Sequence, residues 1–363
     1  MLVYYLIFLV NFITYPIYCY QKKIYLAINS IVLWIVMGFR GYTVGADTSS
    51  YVQLYQSIQN IYLPLNLVNW IYPANGARYE NGFVLLNKLL YSVNSNPRFL
   101  LVITSGIMLL CFVLFLIELK INYFVGIIAF ETLGFFSFYM SGMRQALACS
   151  FCMVAFVYAV KRKPIKFFLF NYLAISMHIT AILFIMVYFL NYLGKSRKIN
   201  VAIFCLFGFA MYEFDNIYSS ISSISNEANT YSTLIQNNGT TGFLNIIVSI
   251  LISCGFLLLC RSFEKKSYFL NNENKRILYL SQYSTIISIG FYFLALLFSQ
   301  ISRISLYFLI GYFPIASFVF YSRDGKVKTL FMKIGLVFFM ISYFVIVQII
   351  RPEWTSIVPY VWM

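Results

Sequence analysis

Charge is what this sequence has least of. Only 10% of its 363 residues are charged, against roughly 25% in ordinary soluble domains. The length alone would allow two or three soluble domains, but a chain this poor in ionic groups cannot cover a water-facing surface. Acids are scarcer still, with 11 Asp plus Glu, and there is 1 His. Metal centres draw on clustered carboxylates or imidazoles, so neither a metal site nor a cofactor is expected. The 7 Cys do not pair by spacing. Cys149 and Cys152 form a C-x-x-C, but inside an apolar run with no flanking His, and read as small hydrophobes. No Gly-, Pro- or Ser-rich linker sets off a soluble unit and no internal repeat is visible, so residues 1–363 read as a single membrane domain. The apolar start has no charged n-region and no small-residue cleavage site before Tyr20, which reads as a retained first span.

What is present is apolar. Hydrophobic residues make up 61% of the chain and aromatics 20%, with 38 Phe and 31 Tyr. Rings suit lipid-facing surfaces, and Tyr keeps its hydroxyl wet at the interfaces. A span needs about 20 apolar residues. Candidates are 2–20, 24–39, 98–117, 122–140, 143–160, 199–212, 242–260, 277–298, 303–321 and 329–350, with a longer apolar stretch at 167–193. A short run at 83–94 suits a segment that lies on the membrane or re-enters it.

The net charge is +15. It does not point to nucleic acid, because the Lys and Arg cluster in short loops between apolar runs, as cytoplasmic loops do. Placing every basic cluster inside puts both flanks of 167–193 on one side, so that stretch must go out and return, with its turn at His178. The expectation is an all-α polytopic integral membrane protein of about 12 membrane segments. Two longer extracytoplasmic loops follow, from Arg40 to about Pro97 and from Glu213 to about Thr241.

That topology strands Arg40, Asp47, Arg78, Glu80, Arg144, His178 and Arg303 at the outer face, against the charge bias. Ionisable groups near membrane depth are costly and mark sites. Several Arg on one face suit phosphates, which the guanidinium fork binds bidentately. Arg40 and Asp47 lie in Phe39-Arg40-Gly41-Tyr42-Thr43-Val44-Gly45-Ala46-Asp47-Thr48, where Asp47 is placed to cap the next helix. Arg144 opens a span in Ser141-Gly142-Met143-Arg144-Gln145. A cation there opposes the helix dipole and calls for an anionic partner.

In order, FRGYTVGADTSSYVQLY, YENGFVLLNKLL, SGMRQALA, KRKPIKFFLFNYLAISMHITAILF and SRISLYF run from Arg40 to Tyr307. This set resembles the EpsG-like family of polysaccharide polymerases, similar in role to the Wzy O-antigen and capsule polymerases. The resemblance implies a GT-C-like general plan in the bacterial inner membrane, with the active face extracytoplasmic. It implies a metal-independent glycosyltransferase that moves a growing glycan from undecaprenyl diphosphate onto a lipid-linked oligosaccharide repeat unit. A chain-length regulator protein is a candidate partner beside the lipid bilayer. On this reading Arg40, Arg78, Arg144, Gln145 and Arg303 bind substrate, and Asp47, Glu80 and His178 are candidates for the catalytic base. The rival readings are a lipid-linked oligosaccharide flippase and an O-antigen ligase. A flippase would favour repeat symmetry and discontinuous helices, whereas here the charges gather at one end.

Overall fold

A computed structural model describes residues 1–61, 63, 79–194, 196–214, 216, 240–264, 271–321 and 327–362. Among them the chain is helical, with no strand and one isolated bridge, Arg40 to Trp362. The helices are α1 (Leu2–Ile13), α2 (Tyr15–Tyr20), α3 (Lys22–Gly38), α4 (Thr48–Ser57), α5 (Asn81–Val93), α6 (Pro97–Glu118), α7 (Tyr123–Thr132), α8 (Phe135–Ser141) and α9 (Met143–Val160). They continue as α10 (Pro164–Met177), α11 (Ile185–Leu190), α12 (Arg197–Tyr212), α13 (Thr240–Glu264), α14 (Asn272–Ala295), α15 (Ser302–Phe308), α16 (Tyr312–Tyr321) and α17 (Val327–Ile350).

Side-chain size sorts these helices into centre and rim. α9 carries Ala146, Ala148, Cys149, Ser150, Cys152, Ala155 and Ala159, all buried. Small residues let helix backbones approach closely where lipid gives no hydrophobic drive between helices. α14 buries Ser281, Ser284, Thr285 and Ser288 in the same way, and 89% of its apolar window lies inside the protein. For α17 that share is 11%, and Phe331, Ile334, Phe338 and Ile349 point outward. So large an exposed apolar face is untenable in water and suits contact with acyl chains.

Among the described residues six helical stretches, Ser299–Tyr321 through α15 and α16 being one, are long and apolar enough to cross a membrane, or seven if α7 and α8, bent by 51°, count as one. The other apolar stretches fold as shorter helices. The first is split at Thr14, just ahead of Pro16 near the start of α2. The 167–193 stretch breaks at His178, whose backbone is extended between α10 and a 3-10 turn, Ile179–Phe184, that leads into α11. The chain then returns along α10. Phe167 meets Tyr188 at 4.9 Å, and Asn191 Nδ2 reaches the carbonyl of Ala159 at 2.6 Å. The expected Arg40–Pro97 loop holds α4 and α5, while most of the 213–241 loop lies outside the described residues.

Residues after α17 close the bundle. The Gly41 amide donates to Val361 O at 2.7 Å and the Gly45 amide to Ser356 O at 2.7 Å. Ser141 Oγ donates to Thr355 O at 2.6 Å, and Tyr4 Oη to Ile357 O at 2.6 Å. The tail therefore ties the loop before α4 to the end of α8.

Candidate functional site

At one end of the bundle three elements bring the charged residues together. α5 starts beside the turn at His178 because Gly82 has no side chain. A Cβ there would sit 2.6 Å from the Ser176 Cβ, closer than packing allows. This approach delivers Glu80, just ahead of α5, to the gap between α9 and α10. Its Oε2 accepts from Arg144 Nη1 at 2.6 Å. Its Oε1 lies 2.7 Å from His178 Nδ1 and accepts from the Ile179 amide at 3.2 Å. The Arg144 guanidinium also lies over the Tyr79 ring, 4.8 Å from its centroid.

Glu80 is nearly buried, with a side chain 6% exposed. Burial pushes its carboxyl upward, but the His178 hydrogen bond and the Arg144 charge outweigh that and hold it down at about 2. Glu80 thus ties Arg144 and His178 together. The anionic partner that Arg144 called for is Glu80. With Nδ1 on Glu80, the His178 ring has Nε2 left to act, the arrangement of a base steered by a carboxylate.

On the far side of the start of α9 lies a cavity of about 280 Å³. Gly142 lines it, two residues before Arg144. Asp47 and Arg303 both face it, with Asn245, Ser249, Tyr292, Ser302, Tyr343, Gln348 and Thr355. The wall thus joins one carboxylate and one guanidinium to hydroxyls, amides and rings. Asp47 holds the N-cap position of α4, but its side chain makes no capping hydrogen bond, so the expected cap is absent. Arg303 is exposed at the start of α15.

Two other candidate residues lie away from the cavity. Arg40 is 1% exposed and does not line the cavity. Its Nη1 donates to the Met37 carbonyl and its Nη2 to Met140 O at 3.1 Å, so it joins the ends of α3 and α8. Carbonyls at helix C-termini want a cation, which is why a guanidinium sits there. Gln145 is likewise buried, and its Nε2 donates to the Arg303 carbonyl at 2.6 Å. It positions the start of α15 and does not reach the cavity. Arg78 lies outside the described residues.

Sequence reading missed the residues of the cavity wall from α13, α14 and the tail. Asn245, Ser249 and Tyr292 are polar groups inside long apolar runs, and that is the signal that could have flagged them. Among the described residues no three His, Cys, Asp or Glu side chains gather.

An all-helical bundle with outward apolar faces and several apolar helices long enough to span defines a multi-pass membrane protein. The chain matches the EpsG family model over residues 23–362, and it belongs to that family of polysaccharide polymerases. Comparison with curated proteins and with solved structures gives no match.

Proposed function

We propose that this protein extends a bacterial polysaccharide by moving the growing glycan from undecaprenyl diphosphate onto the next lipid-linked repeat unit, at the extracytoplasmic face. The observation that carries the reading is the cavity in which Asp47 and Arg303 meet hydroxyl, amide and aromatic side chains. Arg303 binds the diphosphate. As the anomeric C–O bond breaks, negative charge builds on the leaving diphosphate, and the Arg303 guanidinium stabilises it. Asp47 accepts the proton of the acceptor hydroxyl as that oxygen forms the new glycosidic bond. The polar wall and the Tyr292 and Tyr343 rings suit sugar hydroxyls and sugar faces. Arg144, paired with Glu80, lies two residues from Gly142 of the cavity wall, and His178 is the second candidate base.

The test is a reconstituted reaction of purified protein with its lipid-linked repeat unit, with product length read on a gel. Wild-type protein should give a ladder. Asp47→Asn and Arg303→Gln should leave the starting material unextended while eluting as folded protein. Ladders of normal length from both variants would sink the assignment.

A further inference from the structure

The opposite end of the bundle carries a second hollow, of about 340 Å³, between the α9–α10 turn, the end of α11 and the start of α14. We propose that it binds a phosphate group, carried on the headgroup of an anionic phospholipid or free in solution. Arg162, Lys275 and Arg276 line it, with Asn191, Tyr192 and Asn272, and among the described residues no acidic side chain does. The cations come from segments more than a hundred residues apart, so local sequence did not gather them. Lys275 and Arg276 sit in the first turns of α14, where a cation opposes the helix dipole and helix stability gives no reason for it.

Charge balance points the same way. Neighbouring Lys161 has its carboxylate, Glu118. Arg162, Lys275 and Arg276 form no ion pair among the described residues, and Glu273, in the same helical turn, does not line the hollow. Two of the three cations are also fixed in place. The Arg162 guanidinium lies over the Tyr192 ring at 4.9 Å, and Arg276 Nε donates to Val160 O at 3.1 Å. Guanidinium groups held in this way lose less freedom when a phosphate arrives. Beside the hollow, Phe189, Tyr192 and Leu193 are exposed, an apolar strip against which acyl chains can lie. Basic hollows between spanning helices are suited to anionic headgroups. The length of α9, 18 residues or about 27 Å, separates this site from Arg144 and Glu80, so it is no part of the reaction cavity.

The experiment has two arms on purified full-length protein. Native mass spectrometry measures phosphatidylglycerol against phosphatidylcholine, and titration calorimetry measures inorganic phosphate. Each cation removed should weaken binding roughly 5-fold, so Arg162→Gln with Lys275→Gln should weaken it roughly 30-fold. Lys163→Gln, exposed and outside the hollow, should leave it unchanged. A loss in the lipid arm marks a headgroup site, and a loss in the phosphate arm alone marks a soluble ligand. If the double variant does not fold, Lys275→Gln alone should still show the 5-fold step. Equal binding by wild-type and variant proteins in both arms, or no binding by wild-type protein in either, overturns the proposal.

Discussion

Replacing Glu80 by Gln keeps the size of the side chain and removes the charge that Arg144 and His178 share. The carboxyl stands at about 2 in the folded protein, against 4.5 for an unperturbed Glu. By linkage, that difference amounts to about 3 kcal/mol of stability at neutral pH. Removing one partner of a buried ion pair typically costs about 3–5 kcal/mol, so the two routes agree. The sign follows from the direction of the shift. A depressed carboxyl contributes in full above about pH 4.5 and loses its contribution as pH falls towards 2, with roughly 1 kcal/mol left at pH 3. Arg144 keeps its charge throughout that window. Thermal unfolding of the solubilised protein at pH 7 and pH 3 reads this directly. The Glu80→Gln variant should melt roughly 4 °C below wild type at pH 7. At pH 3 most of that gap should close. A gap that stays constant between the two pH values, or that is absent at pH 7, would refute the reasoning.

Three further outcomes follow from the same geometry. Arg40→Gln should lower the yield of folded protein, because two buried carbonyls lose a charged donor, at about 1.5–3 kcal/mol for each bond; size-exclusion profiles of the expressed variant check this. Gly45 has φ +94°, and a Cβ there would lie 2.2 Å from Met140 O, so Gly45→Ala should destabilise by about 1–3 kcal/mol or more, read as a lowered Tm. Gln145→Leu should reduce polymer length without abolishing folding, since it frees the Arg303 carbonyl that fixes the start of α15; unchanged gel ladders would refute it.

Much of the architecture is legible because lipid imposes simple rules. Apolar runs such as α13 and α17 read as spans without any periodicity, and basic clusters alone required the 167–193 stretch to return at His178. The site is legible in its members and opaque in its pairings. Glu80, Arg144 and His178 each stand out as ionic groups in an apolar chain, yet they meet across 64 and 98 residues of sequence. Nothing local records that pairing. Arg40 shows the limit most clearly. An arginine at the end of a span reads the same whether its guanidinium faces a phosphate or, as here, caps the carbonyls of two helices. The tail after α17 is short and irregular, and so has no pattern to read.

That tail has a consequence for how the protein is made. Gly41, Gly45 and Ser141 all wait for partners between residues 355 and 361. The loop that carries Asp47 therefore cannot settle until residues 355–361 have been made and have found it, more than three hundred positions later. Contacts this distant in sequence form late. A chain cut short after α17 would keep every helix named above but leave the loop that carries Asp47 untied. The Asp47 loop is thus fixed late, by a segment that also supplies Thr355 to the cavity wall.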